Sequence, residues 1–184
     1  MPLDLAAQGL IGFTRDAFVA LHGALFRDAG ANAPAILQEA GYAGGPATYE
    51  ALTRWCAERG LPSPEGISAP DFGESASAFF SELGWGSVSV ATLHDSAFTV
   101  DSPDWAESSS SAGMQFPGCY LSAGLLADLF GRLAGEQLVA MEVECRSMGH
   151  ERCRFLLGSA ETIQHVYEGI LNGVGYEDSL AQMA

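Results

Sequence analysis

The spacing of apolar residues changes character near residue 85. Before it the period is helical. Phe18, Leu21, His22 and Leu25 recur on one face between Thr14, which suits an N-cap, and Gly30, which suits a stop, so a helix is expected over 15–29. A second helix is expected over about 34–40, ended by Gly41, with Gly44-Gly45-Pro46 as a turn. A third, over about 48–59, carries Tyr49, Leu52, Trp55 and Cys56 on one stripe. The breaker-rich run 60–70 then leads to a fourth helix over about 71–83, stopped by Gly84.

From Trp85 to His94 the period becomes two, which predicts a strand; Asp95-Ser96 is a tight turn and 97–101 a second strand. Residues 102–112 are polar and serine-rich, with serines at 108 to 111, and read as a flexible loop or lid. Leu121, Leu125, Leu129 and Leu133 mark a helix over 118–133, ended by Gly135. Strands over 138–147 and 152–157 form a second hairpin around Met148-Gly149-His150-Glu151. A last helix over 162–173 turns Ile163, Val166, Tyr167 and Ile170 inward. The fold class is therefore α+β, with helices packed on one face of an antiparallel sheet made of two hairpins. No repeat is visible, and residues 1–184 read as a single domain.

Charge narrows the function classes. Eight basic residues stand against 23 acidic ones, a formal net charge of -15. The nearest approach to a basic cluster, Arg146, Arg152 and Arg154, is interleaved with Glu144 and Glu151. Neither a nucleic-acid partner nor an anionic membrane surface is expected. The start Met1-Pro2-Leu3-Asp4-Leu5 lacks the basic and apolar blocks of a leader, and no apolar run is long enough to span a bilayer, so a cytoplasmic location is expected. Cytosolic thiols stay reduced, which favours metal binding or burial for the four cysteines.

Three of those cysteines can meet. Cys145 and Cys153 flank a hairpin turn, and Cys119 opens the preceding helix. A helix of about 14 residues runs roughly 21 Å and a strand of about 9 residues returns roughly 30 Å, which brings Cys145 back towards Cys119. Three thiolates suit zinc, with Glu142, Glu144 or His150 as the fourth ligand. In a regular strand Glu142 and Glu144 share a face and Cys145 lies on the other, so Glu142 joins the cysteines only if the strand bends or bulges.

The segment Glu142-Val-Glu-Cys145-Arg-Ser-Met-Gly149-His-Glu-Arg-Cys153-Arg-Phe155 resembles the C-terminal signature of the 4-vinyl reductase domain family: Glu-x-x-Cys, a glycine turn, then Cys-x-Phe. Pro117-Gly-Cys119-Tyr-x-x-x-Gly124 looks like the same family's helix start, and Gly84-Trp85-Gly86 resembles its entry to the first hairpin. The resemblance covers about residues 14–158. It implies a helix-plus-antiparallel-sheet fold related to vesicle-tethering subunits, a homodimer, and zinc (Zn2+) held by Cys119, Glu142, Cys145 and Cys153. It also implies an aromatic-hydrocarbon pocket, as in phenol-sensing bacterial activators. The ATPase and helix-turn-helix domains of those activators have no counterpart in this sequence.

The expected function is a stand-alone zinc-containing domain that binds a small hydrophobic molecule, in a sensing or carrier role. The alternatives are an accessory protein of tetrapyrrole 4-vinyl reduction and a structural scaffold subunit. Pocket candidates near the first hairpin and the serine-rich loop are Phe79, Phe80, Trp85, Phe98, Trp105 and Phe116. His22 and His94 could hydrogen-bond a ligand hydroxyl. Ser109 has no obvious histidine partner, and Asp101 with Asp104 reads as a solvated loop, so catalysis by this chain alone is not expected.

Overall fold

The computed structural model describes residues 4–7, 9–110 and 112–183, and all but the side chains of residues 69 and 70 among them. Met1 to Leu3, read above as lacking a leader, and Ser111 of the serine run lie outside the described residues.

Helix α1 (Arg15–Ala29) begins where expected: the Thr14 side chain accepts the Ala17 N–H at 3.2 Å, and Gly30 ends the helix at φ 54°. The next helix corrects the sequence reading. Residues 34–59 are not two helices around a turn but one, α2 (Ala33–Glu58), with Pro46 inside it. Proline removes a helical N–H and crowds the preceding turn, at a cost of about 3 kcal/mol. What outweighs this is a buried stripe running straight through the supposed turn: Leu37, Gly41, Gly45, Thr48, Leu52 and Trp55, at spacings of three and four. The Gly-Gly pair that suggested a turn serves packing. A Cβ on Gly41 would stand 1.9 Å from the Leu121 carbonyl oxygen, and one on Gly124 would stand 2.0 Å from that of Gln38. Glycine on both sides lets α2 and α4 (Tyr120–Ala134) touch backbone to backbone.

Helix α3 (Ala69–Glu82) leads into β1 (Ser89–His94) and β2 (Ala97–Ser102); Trp85 to Val88, expected in the first strand, precede it. After α4 come β3 (Val139–Glu144) and β4 (Cys153–Gly158), then α5 (Ala160–Leu171) and an unforeseen α6 (Tyr176–Ala181). The strand over 138–147 is shorter than expected because Arg146–Met148 form a 3-10 turn. The four strands pair antiparallel in the order β1-β2-β4-β3, so the two hairpins join edge to edge through β2 and β4.

Alternation along the strands sorts two faces. Val100, Phe155 and Leu157 meet α2, α3 and α4 around Trp55, Phe79, Phe80, Trp105 and Phe130. Each large side chain fully buried there is worth about 1.5–3 kcal/mol. Ala97 and Leu156 point the other way, onto Ile163, Val166 and Leu180 of α5 and α6. Helices thus cover one face as expected, and the C-terminal pair covers part of the second. Tyr167 and Ile170, expected inward, are exposed, because α5 meets the sheet only along the line of Ile163 and Val166.

The loop 102–112 is no free lid. Trp105, Glu107 and Ser108 are buried, and the Glu107 carboxylate accepts the Leu121 and Ser122 N–H groups at 3.0 and 2.7 Å, capping α4 from a distance. The Ser122 hydroxyl donates to the same carboxylate and accepts from Trp105 Nε1 at 2.6 Å.

Candidate metal centre and ligand cleft

Cys119 is the N-cap residue of α4, held there because Glu107 fixes the start of that helix. Cys145 follows β3 and Cys153 opens β4, on the two sides of a turn made possible by Gly149 at φ 96°. Glu142 reaches them through a β-bulge. It pairs with Phe155 while Glu144 pairs with Arg154, and Val143 is the extra residue between. One inserted residue rotates the strand by a face, which puts Glu142 and Cys145 on the same side and sends Glu144 to the other.

Cys119 Sγ lies 4.0 Å from Cys145 Sγ and 3.9 Å from Cys153 Sγ. With one carboxylate oxygen of Glu142 these atoms all lie within 4.8 Å of one another. Cys145 and Cys153 are 0% exposed, Cys119 1% and Glu142 8%. Glu142 Oε2 accepts the Cys119 N–H at 2.9 Å, but its Oε1 is buried without a hydrogen-bond partner. The other two candidates for a fourth ligand are engaged elsewhere. His150 Nδ1 accepts the Cys145 N–H at 2.9 Å, and Glu144 holds Arg152 at 2.9 and 3.0 Å.

The electrostatics are those of negative charge gathered out of water. Burial, then the charge of Cys145, pushes the Glu142 carboxyl up to about 8. The Cys119 thiol is raised by its contacts with Cys145 and Cys153 and by burial. Cys145 is lowered, chiefly because it accepts from Cys119 and Cys153 and then from the Gly118 and Ser147 N–H groups. A cluster that can place a thiolate among backbone donors, beside an orphaned carboxylate oxygen, has the donor set that zinc takes. A tetrahedral site with Zn–S of about 2.3 Å spaces its sulfurs about 3.8 Å apart, close to the spacing here.

A cleft of about 470 Å³ opens on the far side of the helical layer. Residues 5 and 9–14 form its roof together with Phe18 and Leu21 of α1. Its floor is made of small α2 residues (Ala40, Gly41, Gly44, Ala47) together with Leu121 and Leu125 of α4. It does not lie between sheet and helices, where the pocket was expected. Of the eight pocket candidates, Trp85 is the one that lines it. Phe79, Phe80 and Trp105 are core, filling the space between α2, α3 and the sheet. Phe98 stacks on Phe130, with ring centroids 5.4 Å apart. Phe116 is 55% exposed. His94 Nδ1 meets the Ser96 hydroxyl at 2.9 Å. His22 lies beside Phe18 and Phe26, with Nε2 3.3 Å from Glu107 Oε1, close enough to pair but not aligned for a hydrogen bond. The other cleft residues escaped sequence reading because α2 was divided at its floor; four small residues at helical spacing were the available signal.

The carboxylates Asp101 and Asp104 do not form a pair. Asp101 binds Arg154 at 2.6 and 2.8 Å, and Asp104 accepts the Ser87 N–H at 2.8 Å.

Comparison with known proteins follows this geometry. The vinyl-4-reductase domain family matches residues 104–159, a span that holds Cys119, Glu142, Cys145 and Cys153. No curated protein matches the chain in sequence. Among solved structures, the chain is similar to the phenol-responsive sensory domain of the transcription activator PoxR with phenol, at TM-score 0.63 and 20% identity over 83% of this chain and 77% of that one. It is also similar to a trafficking protein particle complex subunit 3 from Naegleria fowleri covalently bound to palmitic acid, at TM-score 0.57 and 13% identity over 78% and 91%. A vinyl-4-reductase family protein from Methanocaldococcus jannaschii overlaps less closely, at TM-score 0.41 and 21% identity over 58% and 74%. The match over 104–159, which contains all four residues of the cluster, places this chain in the vinyl-4-reductase domain family.

Proposed function

We propose that this chain is a zinc-containing domain that binds a small apolar or aromatic molecule in a sensing or carrier role, without catalysis of its own. The observation that carries the binding half is the cleft: about 470 Å³, walled mainly by apolar side chains, is the size of a drug-like ligand site. Likeness of fold to the phenol-responsive domain of PoxR supports an aromatic occupant. A scaffold subunit would instead fill this space with side chains.

The zinc half is supported by the cluster of three sulfurs and one carboxylate and by the orphaned Glu142 Oε1. Cys119, Glu142, Cys145 and Cys153 would hold the ion. Four protein ligands leave no position for water, so the ion supplies cross-linking, not Lewis acidity. It ties the start of α4 to the β3–β4 hairpin, three stretches that are distant in sequence. A homodimer is supported by the apolar side chains left exposed around the N-terminal helices, among them Ile11, Phe13, Leu21 and Ile36.

The test pairs native mass spectrometry with ligand-induced thermal shift. One zinc per chain, lost in Cys145→Ser, and a mass of two chains are expected. Phenol should raise the melting temperature of the wild type and leave that of Ala47→Phe, whose ring fills the floor of the cleft, unmoved. An equal shift in both proteins would place the ligand elsewhere.

A further inference from the structure

The cleft has one charged side chain in its lining. Arg15, the first residue of α1, stands at the roof beside Thr14, and no carboxylate shares the lining. That is a biased choice in a chain with 23 acidic and 8 basic residues. Most of the other arginines already have acids. Arg27 pairs with Asp28, Arg59 with Glu82 and Arg132 with Asp128, while Arg152 and Arg154 share Asp101 and Glu144. Arg15 enters no ion pair among the described residues. Its nearest electrostatic partner is Asp104, whose carboxyl it helps to lower, but one oxygen of Asp104 already accepts the Ser87 N–H and hydroxyl.

The remaining polar side chains of the lining are few and mostly engaged. Thr48 donates its hydroxyl to the Gly44 carbonyl at 3.0 Å, inside its own helix. The Thr14 oxygen accepts the Ala17 N–H. The cleft therefore has an apolar body and one cationic end. That end coincides with the first turn of α1, where backbone N–H groups add to the positive potential; Asp16 in the same turn opposes it and sets the limit of the effect.

We infer that the cleft takes an amphipathic monocarboxylate, its apolar part lying over Gly44, Ala47, Leu121 and Leu125 and its carboxylate at Arg15. The inference rests on the reading of the cleft as the ligand site and adds the chemical class of the ligand. A guanidinium presents paired donors that match a carboxylate and lacks an equivalent partner in an alcohol of the same length.

Matched probes test it: decanoate and decan-1-ol, titrated by calorimetry at a pH where the acid is ionised. Decanoate should bind about tenfold more tightly than decanol, the scale of one charge-assisted hydrogen bond. Arg15→Gln should collapse that ratio towards one, and Arg15→Lys should restore part of it. Decanol binding as well as or better than decanoate would overturn the ligand class while leaving the cleft as the site. A preference for decanoate that survives Arg15→Gln would overturn the role of Arg15. If neither probe binds wild type, and Ala47→Phe does not alter the response to phenol, both the inference and the reading beneath it fall.

Discussion

A single inserted residue, Val143, decides which acid faces the cysteines. Without the bulge Glu142 and Cys145 would point to opposite faces; with it, Glu142 turns inward and Glu144 turns out to Arg152. The cost appears in Glu142, whose carboxyl is held up to about 8 by burial and by Cys145. The sign of the consequence is fixed. A carboxyl whose folded pKa is raised above its unfolded value of 4.5 binds a proton more tightly when folded. Metal-free protein should therefore lose stability as pH rises from about 4.5 through about 8, and Glu142→Gln should flatten that slope. Urea denaturation in chelator across that range checks it. Wild type with zinc added should show the opposite trend, because deprotonated ligands bind the ion better.

At the scale of elements, the decisive contact is α2 against α4. Gly41 and Gly124 give each helix a notch into which the other's backbone fits. Gly124→Ala would put a methyl 2.0 Å from the Gln38 carbonyl oxygen, which no side chain can relieve. We expect a loss of roughly 3 kcal/mol or more in chemical denaturation. Gly23→Ala, in the middle of α1 with nothing within 4 Å of the added methyl, is the control. It should be neutral or stabilising by up to about 1 kcal/mol. The same close approach keeps Pro46 helical, so relaxing it should also fray α2 around residue 46, visible as faster amide exchange over 40–48.

At the scale of the molecule, the face of the sheet opposite the cysteines carries an ionic network that fastens the C-terminus. Arg154 holds Asp101 and donates to the Tyr176 hydroxyl at 2.9 Å, and Tyr176 donates to Glu144 at 2.6 Å. Arg152 holds Glu144 lower than an ordinary glutamate, with Tyr176 adding to the effect. A depressed carboxyl stabilises the fold above its unfolded pKa and loses that contribution as pH falls through the folded value. Acid should thus loosen this network below about pH 4.5. Tyr176→Phe removes one hydroxyl from two of its bonds and should cost about 1–2 kcal/mol, read from the melting temperature at neutral pH. None of the described helices is long and apolar enough to cross a membrane.

Sequence alone determined the local periods: helix before residue 85, two hairpins after it, the caps at Thr14, Gly30 and Gly135, and the three cysteines that converge. These follow from nearest neighbours along the chain, where side-chain period and backbone preference act. Spacing left Glu142, Glu144 and His150 equal, and only tertiary structure separated them, because a bulge depends on pairing with β4 and not on the strand's own residues. Tertiary contact also decided that Gly44-Gly45-Pro46 stays helical, since a glycine reads as a turn until another helix is found pressed against it. It moved the cavity as well. Phe79, Phe80 and Trp105 are hydrophobic enough to line a pocket but are consumed by the core, whereas the small residues of α2 leave the space that a ligand can fill.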